Sequence, residues 1–194
     1  MTARALKRVV VLISGRGSNM QALLEAQLPA SFEAVISNVP TAAGLALAQR
    51  RGVATAVVDH KAYAEREAFD AVLRTEIDRH RPDLVVLAGF MRVLTPHFLS
   101  KWERRVVNVH PALCPAFPGM HAARQALEHG VKITGCTVHL VDAGVDTGPV
   151  LAQAAVPVLA GDDEAALQAR IQVQEHRLLP LVLEALAKGT APPV

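Results

Sequence analysis

From residue 9 to residue 110, short apolar runs alternate with segments of helical period, and this alternation narrows the fold more than any other feature of the chain. Val9–Ile13 reads as a buried strand, followed by a glycine loop and an amphipathic pattern from Met20 to Leu28. Phe32–Ile36, Ala54–Val58 and Asp83–Ala88 repeat the strand signature. The helices between them read as Ala42–Arg51, closed by Gly52, and Glu65–Arg79, ended by His80-Arg81-Pro82. Thr95 caps a short helix to Trp102 with Pro96 in its first turn, and Val106–His110 is the next strand. The last third differs. A helix reads from about His121 to His129. Ile133–Val141 and Val150–Leu159 then read as strands joined by a short turn, which predicts an antiparallel pair. Asp162-Asp163-Glu164 opens a long helix to about Lys188, with acids at its positive end and Pro180 expected to kink or divide it.

The expected fold class is therefore α/β: a doubly wound, mostly parallel Rossmann-like sheet with an antiparallel C-terminal strand pair and a long C-terminal helix. At 194 residues and 51% apolar content, the chain is expected to form one domain, residues 1–194, around a full core. A net charge of +2, no long basic run and few aromatics argue against a nucleic-acid surface. Cys114 and Cys136 fit no C-x-x-C pattern, which favours a reduced setting over a disulfide scaffold. The apolar run at Val9–Ile13 is too short for a signal peptide or a membrane span, so the expected location is cytoplasmic.

Two stretches carry chemistry. Strand, glycine loop, helix is the arrangement that aims free backbone N–H groups at an anion, and here the loop is Ser14-Gly15-Arg16-Gly17-Ser18-Asn19. A Walker A loop would need a Gly-Lys-Ser/Thr, which is absent, and a dinucleotide fingerprint would need glycine where Met20 stands. The second strand runs into Ser37-Asn38, with no acid to hold a ribose diol. A monophosphate cradle fits better than an NAD site; a plain reversing turn is the alternative. The second stretch is Val106-Val107-Asn108-Val109-His110-Pro111. Asn108 and His110 are two apart, so a strand delivers amide and imidazole to the same side at its C-terminal end. With Asp146 in the turn-rich Asp-Thr-Gly-Pro, they compose a site for transfer at a carbonyl carbon; a capping Asn and a surface His are the alternative. No Gly-x-Ser-x-Gly elbow is present, and no His, Cys or Asp pair has a recognised zinc spacing. Cys114 reads as a small buried hydrophobe, and His139 as a buried imidazole supporting the site.

The chain resembles the phosphoribosylglycinamide formyltransferases of the formyltransferase superfamily. The likeness rests on the N-terminal glycine loop, Val86-Leu87-Ala88-Gly89-Phe90-Met91-Arg92, Asn108-Val109-His110-Pro111, Asp146-Thr147-Gly148-Pro149 and Gln174-Glu175-His176. The resemblance implies transfer of the formyl group of 10-formyltetrahydrofolate, as cosubstrate and without a metal, to the amine of N1-(5-phospho-D-ribosyl)glycinamide in purine biosynthesis. It implies a phosphate-binding half over about 1–105 and a catalytic and folate half over about 106–194. By position, Asn108, His110 and Asp146 would be catalytic. Gly17, Ser18, Asn19, Gln172, Val173, Gln174 and Glu175 would hold the phosphoribosylglycinamide. Arg66, Met91, Arg92, Val93, Leu94, Asn108, Asp142, Ala143, Gly144, Val145 and Asp146 would contact the folate. Relatives often carry Leu and Lys where Cys114 and Ala116 stand, and a bulkier acidic–apolar pair in place of Ala143-Gly144, which implies a roomier pterin pocket. The expected partners are small-molecule substrates, with no nucleic acid and no membrane, in a monomer or weak homodimer. Two other readings remain: a formyltetrahydrofolate deformylase, which hands the formyl group to water, and a non-catalytic nucleotide-binding module on the same sheet.

Overall fold

The computed structural model describes residues 7–190. Seven strands form one sheet in the order β3-β2-β1-β4-β5-β6-β7. They are β1 (Arg8–Ile13), β2 (Ser31–Ser37), β3 (Thr55–Val57), β4 (Leu84–Leu87), β5 (Val106–His110), β6 (Ile133–Leu140) and β7 (Val150–Pro157). Pairings from β3 across to β5 are parallel, while β5–β6 and β6–β7 are antiparallel. The helices are α1 (Ser18–Glu25), α2 (Ala43–Arg50), α3 (Arg66–Arg79), α4 (Pro96–Lys101), α5 (Ala122–Glu128) and α6 (Glu164–Lys188), with a 3₁₀ turn at His60–Ala62.

The strands are apolar throughout because the sheet is covered on both faces. Successive β1 side chains serve opposite cores. Val9, Val11 and Ile13 pack with Met20 and Leu23 of α1, Leu45 of α2 and Leu167, Ile171 and Leu179 of α6. Val10 and Leu12 join Phe69, Leu73 and Ile77 of α3 and Phe98, Leu99 and Trp102 near α4. In β5 the same alternation sends Val107 and Val109 to the first core and Val106 to the second. Asn108 and His110 therefore share the face of Val106 and emerge where that face runs out of covering helix.

The Thr95 cap expectation holds, its side chain accepting from Phe98 N–H; at the start of α6 the Asp163 side chain accepts from Ala166 N–H. One expectation fails in part. Pro180 does not divide α6, which is a single helix of 25 residues. Leu178, Leu179, Val182 and Leu183 are buried on both sides of the proline, so packing holds the helix together where its own ladder loses a bond.

β1 and β4 are neighbours, yet the chain leaves them toward opposite sheet edges. This is the switch point where an open α/β sheet has its ligand crevice. The loop leaving β1 lies against the start of α2. Gly44 N–H donates to Gly15 O at 3.0 Å, and a Cβ on Gly44 would stand 2.5 Å from Ile13 Cδ1 and 3.2 Å from Gly17 Cα.

Candidate active site

Two adjoining cavities open at the C-terminal ends of these strands. The first, of about 300 Å³, is walled by the loop after β1, by Gly89 and Met91 after β4, and by Gln168, Gln172 and Glu175 of α6. Gly17 takes φ +74° immediately before α1, a left-handed conformation that glycine adopts without strain. Gly17, Ser18 and Asn19 all line the cavity, so the unpaired N–H groups of the first helical turn lie at its wall. Two hydrogen bonds tie α6 to this turn: Gln172 Nε2 donates to Ser18 Oγ at 2.8 Å, and Asn19 Nδ2 donates to Glu175 Oε2 at 3.3 Å. The proposed stretch 172–175 thus divides by helical period. Gln172 and Glu175 face the cavity; Val173 and Gln174 are not among its lining residues, and Val173 is exposed. Arg16 is the one Lys or Arg among the lining residues, and the sequence reading had not singled it out.

Glu175 is only 4% exposed. Burial pushes its carboxyl from 4.5 up to about 7, with the Asn19 amide pulling the other way. The unfolded chain would release that proton near 4.5 while the folded chain keeps it to about 7, so stability falls as pH rises across that interval. Glu175→Gln is therefore expected to stabilise the protein at about pH 8 by at most about 3 kcal/mol. The gain should vanish below about pH 4.5, where both states hold the proton. Thermal melts of the two proteins at both pH values check this; an equal gap at both would show that the charge is not the cause.

The second cavity, of about 510 Å³, adjoins the first along Arg16, Gly89 and Met91, which line both. Met91, Arg92, Val93 and Leu94 form one wall, Asn108 and His110 the floor, and Asp142, Gly144, Val145 and Asp146 another wall. Two residues expected here are elsewhere. Arg66, the first residue of α3, and Ala143 are both exposed and are not among the lining residues.

Asp146 is the hub of the polar groups. Its Oδ2 lies 3.2 Å from His110 Nδ1 and accepts from Gly119 N–H at 2.8 Å. Its Oδ1 accepts from Asn108 Nδ2 at 3.3 Å and lies 3.5 Å from His139 Nε2. His110 is 4% exposed, and its Nε2 is 2.8 Å from the Phe117 carbonyl oxygen. Both ring nitrogens face oxygens, and only the doubly protonated ring donates to both. His139 stands opposite Asn108 in the β5–β6 register. Its Nδ1 lies 2.9 Å from Leu140 O, and its Nε2 lies 3.2 Å from Asn108 Nδ2 and faces Asp146 Oδ1. Burial opposes ionisation of Asp146, but the His139 ring, the Gly119 N–H and the His110 charge outweigh it, and the carboxyl titrates below its ordinary value. Asp146 is thus an anion at neutral pH, held between two imidazoles and an amide.

Several participants carried no sequence signal. The Phe117 carbonyl and the Gly119 N–H are backbone groups, which every residue has. Met120, His121 and Gln168 line the second cavity through loop and helix geometry alone. Burial pushes the Cys114 thiol up and the Cys136 thiol to about 12, so neither is a ready nucleophile. Among the described residues, no group of three or more His, Cys, Asp or Glu side chains is arranged to hold a metal ion, and no helix is long and apolar enough to cross a membrane.

Residues 7–183 match the family described as formyl transferase. The chain belongs to the formyl transferase family. It is 48% identical over 185 residues to the phosphoribosylglycinamide formyltransferase of Escherichia coli, an alignment that covers 93% of this chain and 87% of that protein. It is 49% identical over 197 residues to the trifunctional purine biosynthetic protein adenosine-3 of Drosophila melanogaster; this covers 98% of the chain, which spans only 15% of that relative's length. The crystal structure of glycinamide ribonucleotide transformylase 1 from Symbiobacterium toebii superimposes with a TM-score of 0.92 at 48% identity, covering 95% of this chain and 89% of that one. The formyl transferase fold therefore extends through the glycine loop, β5 and the Asp146 turn.

Proposed function

We propose that this formyl transferase moves the formyl group of 10-formyltetrahydrofolate to the amine of N1-(5-phospho-D-ribosyl)glycinamide. The observation that carries the reading is the pair of adjoining cavities. One is lined by free helix N–H groups and Arg16. The other is lined by apolar side chains and floored by Asn108, His110 and Asp146. The first suits a phosphate monoester and the second a flat, partly apolar donor. Their shared strip at Gly89–Met91 lets an amine on one ligand meet a carbonyl on the other.

The amine nitrogen forms a bond to the formyl carbon, and the carbonyl electron pair moves onto oxygen. Asn108 Nδ2 donates to the oxyanion. His110 joins it by exchanging the Phe117 carbonyl, a neutral acceptor, for the charged one. Asp146, 3.2 Å from His110 Nδ1, holds the ring in place. The bond from formyl carbon to folate nitrogen then breaks. The proton lost by the attacking ammonium goes to the leaving nitrogen through Asp146, His110 or a water between them. Holding both substrates in register would supply roughly 7–11 kcal/mol of the barrier lowering at best.

Absorbance of the folate, followed with both substrates and with each alone, tests the proposal. Formyl transfer only when the phosphorylated amine is present supports it. Formate release without the amine would favour the deformylase reading, and binding without turnover the non-catalytic one. Ser18→Ala is expected to raise KM for the phosphorylated amine severalfold with kcat nearly unchanged, because the phosphate does not react. Loss confined to kcat would remove Ser18 from the cradle.

A further inference from the structure

Ser14 opens the glycine loop and borders the first cavity, and its hydrogen bonds run to Asn38 and to the 89–91 segment, which continues through Phe90 and Arg92–Leu94 as a wall of the second cavity. Its N–H donates to Gly89 O at 3.1 Å, and its Oγ accepts from Met91 N–H at 2.8 Å. The Ser14 hydroxyl proton is committed elsewhere, to Asn38 Oδ1 at 2.5 Å. Asn38 is 2% exposed, and its main-chain carbonyl oxygen lies 2.7 Å from His60 Nδ1 and accepts from His60 N–H at 3.3 Å. A hydroxyl has one proton and two lone pairs. With the proton given to a buried amide, a lone pair is aimed at Met91 N–H. The hydroxyl has no proton left for an anion in the first cavity.

The segment so held is the wall common to both cavities. Gly89 turns there at φ +76°, and the Met91 side chain, 66% exposed, lines both cavities. We infer that Ser14 is a positioning residue for the formyl donor, fixing the 89–91 wall against which the donor lies, although it sits in the loop that holds the other substrate's phosphate. The inference rests on the function proposed above.

The test is the split between two Michaelis constants. Ser14→Ala should raise KM for 10-formyltetrahydrofolate about tenfold, the factor one well-made hydrogen bond is worth. KM for the phosphorylated amine should stay within about twofold, since the cradle N–H groups are untouched. Ser14→Thr, which keeps a hydroxyl, should restore most of the loss. Equilibrium dialysis with tetrahydrofolate alone should show the same weakening without turnover. A rise in the phosphorylated-amine KM as large as the folate one, no change in either, or no rescue by threonine would each overturn the assignment. Should Ser14→Ala fail to fold, Ser14→Cys keeps the volume while replacing the hydroxyl by a weak acceptor, and carries the same expectation at smaller size. Absence of transfer by the unaltered enzyme would refute the function itself, and is read before any variant is compared.

Discussion

Asn108→Ala is expected to lower kcat for formyl transfer about 10²–10³-fold, or ~2.7–4 kcal/mol, the range seen when one preorganised oxyanion donor is removed. The donor amide is preorganised here by unusual means. One N–H of Nδ2 donates to Asp146 Oδ1, so the amide is held before any substrate arrives and its second N–H is free to donate to the oxyanion. Removing it leaves Asp146 its bond from Gly119 N–H and its contact with His110. The carboxylate should stay in place while the donor is lost. KM for either substrate should change little, because the interaction forms with the charge that develops on oxygen. Single-turnover rates with both substrates saturating measure this. A rate within a few-fold of the unaltered enzyme would remove Asn108 from the mechanism.

Asp146→Asn is expected to lower kcat by about 10²–10⁴-fold, the span of acid–base contributions. The substitution is chosen for the backbone. Asp146 sits at φ +55°, where Asn is among the few residues accepted at little cost, so the turn should keep its shape. Asn also retains an oxygen for Gly119 N–H. What it removes is the negative charge facing His110 and His139. Without that charge the route from the attacking nitrogen loses its acceptor. Steady-state kinetics with a circular dichroism spectrum for fold settle the matter; a kcat within tenfold of the unaltered protein would leave Asp146 a structural residue only.

The sequence carried the fold well because the fold's determinants are local and periodic. Continuous apolar strands, a Thr95 cap and the acids that open α6 are each visible in a few adjacent residues. The pairing of Asn108 with His110 was visible for the same reason, since a strand's period of two needs no tertiary knowledge. The division of residues 172–175 was also written in the period of a helix, yet treating the stretch as a unit hid that only Gln172 and Glu175 turn inward. Other features depend on long-range register. That His139 faces Asn108 follows from the β5–β6 pairing, and that Phe117 O and Gly119 N–H reach His110 and Asp146 follows from the path of a proline-rich loop. Arg66 starts a helix on the α3 side of the sheet, outside the cavity walls, which no local pattern reveals. Pro180 shows the limit of a strong local rule: the apolar residues around it outweigh the missing N–H.

The far wall of the first cavity is the latest of the described elements to be synthesised. Gln172 and Glu175 belong to α6, while Ser18 and Asn19, with which they bond, lie 154 and 156 residues earlier in the chain. A growing chain can hold its β1–α1 loop and even its β5 amide and imidazole in native form and still have nothing to close over a phosphorylated ligand. The first cavity is therefore complete only when α6 docks onto α1.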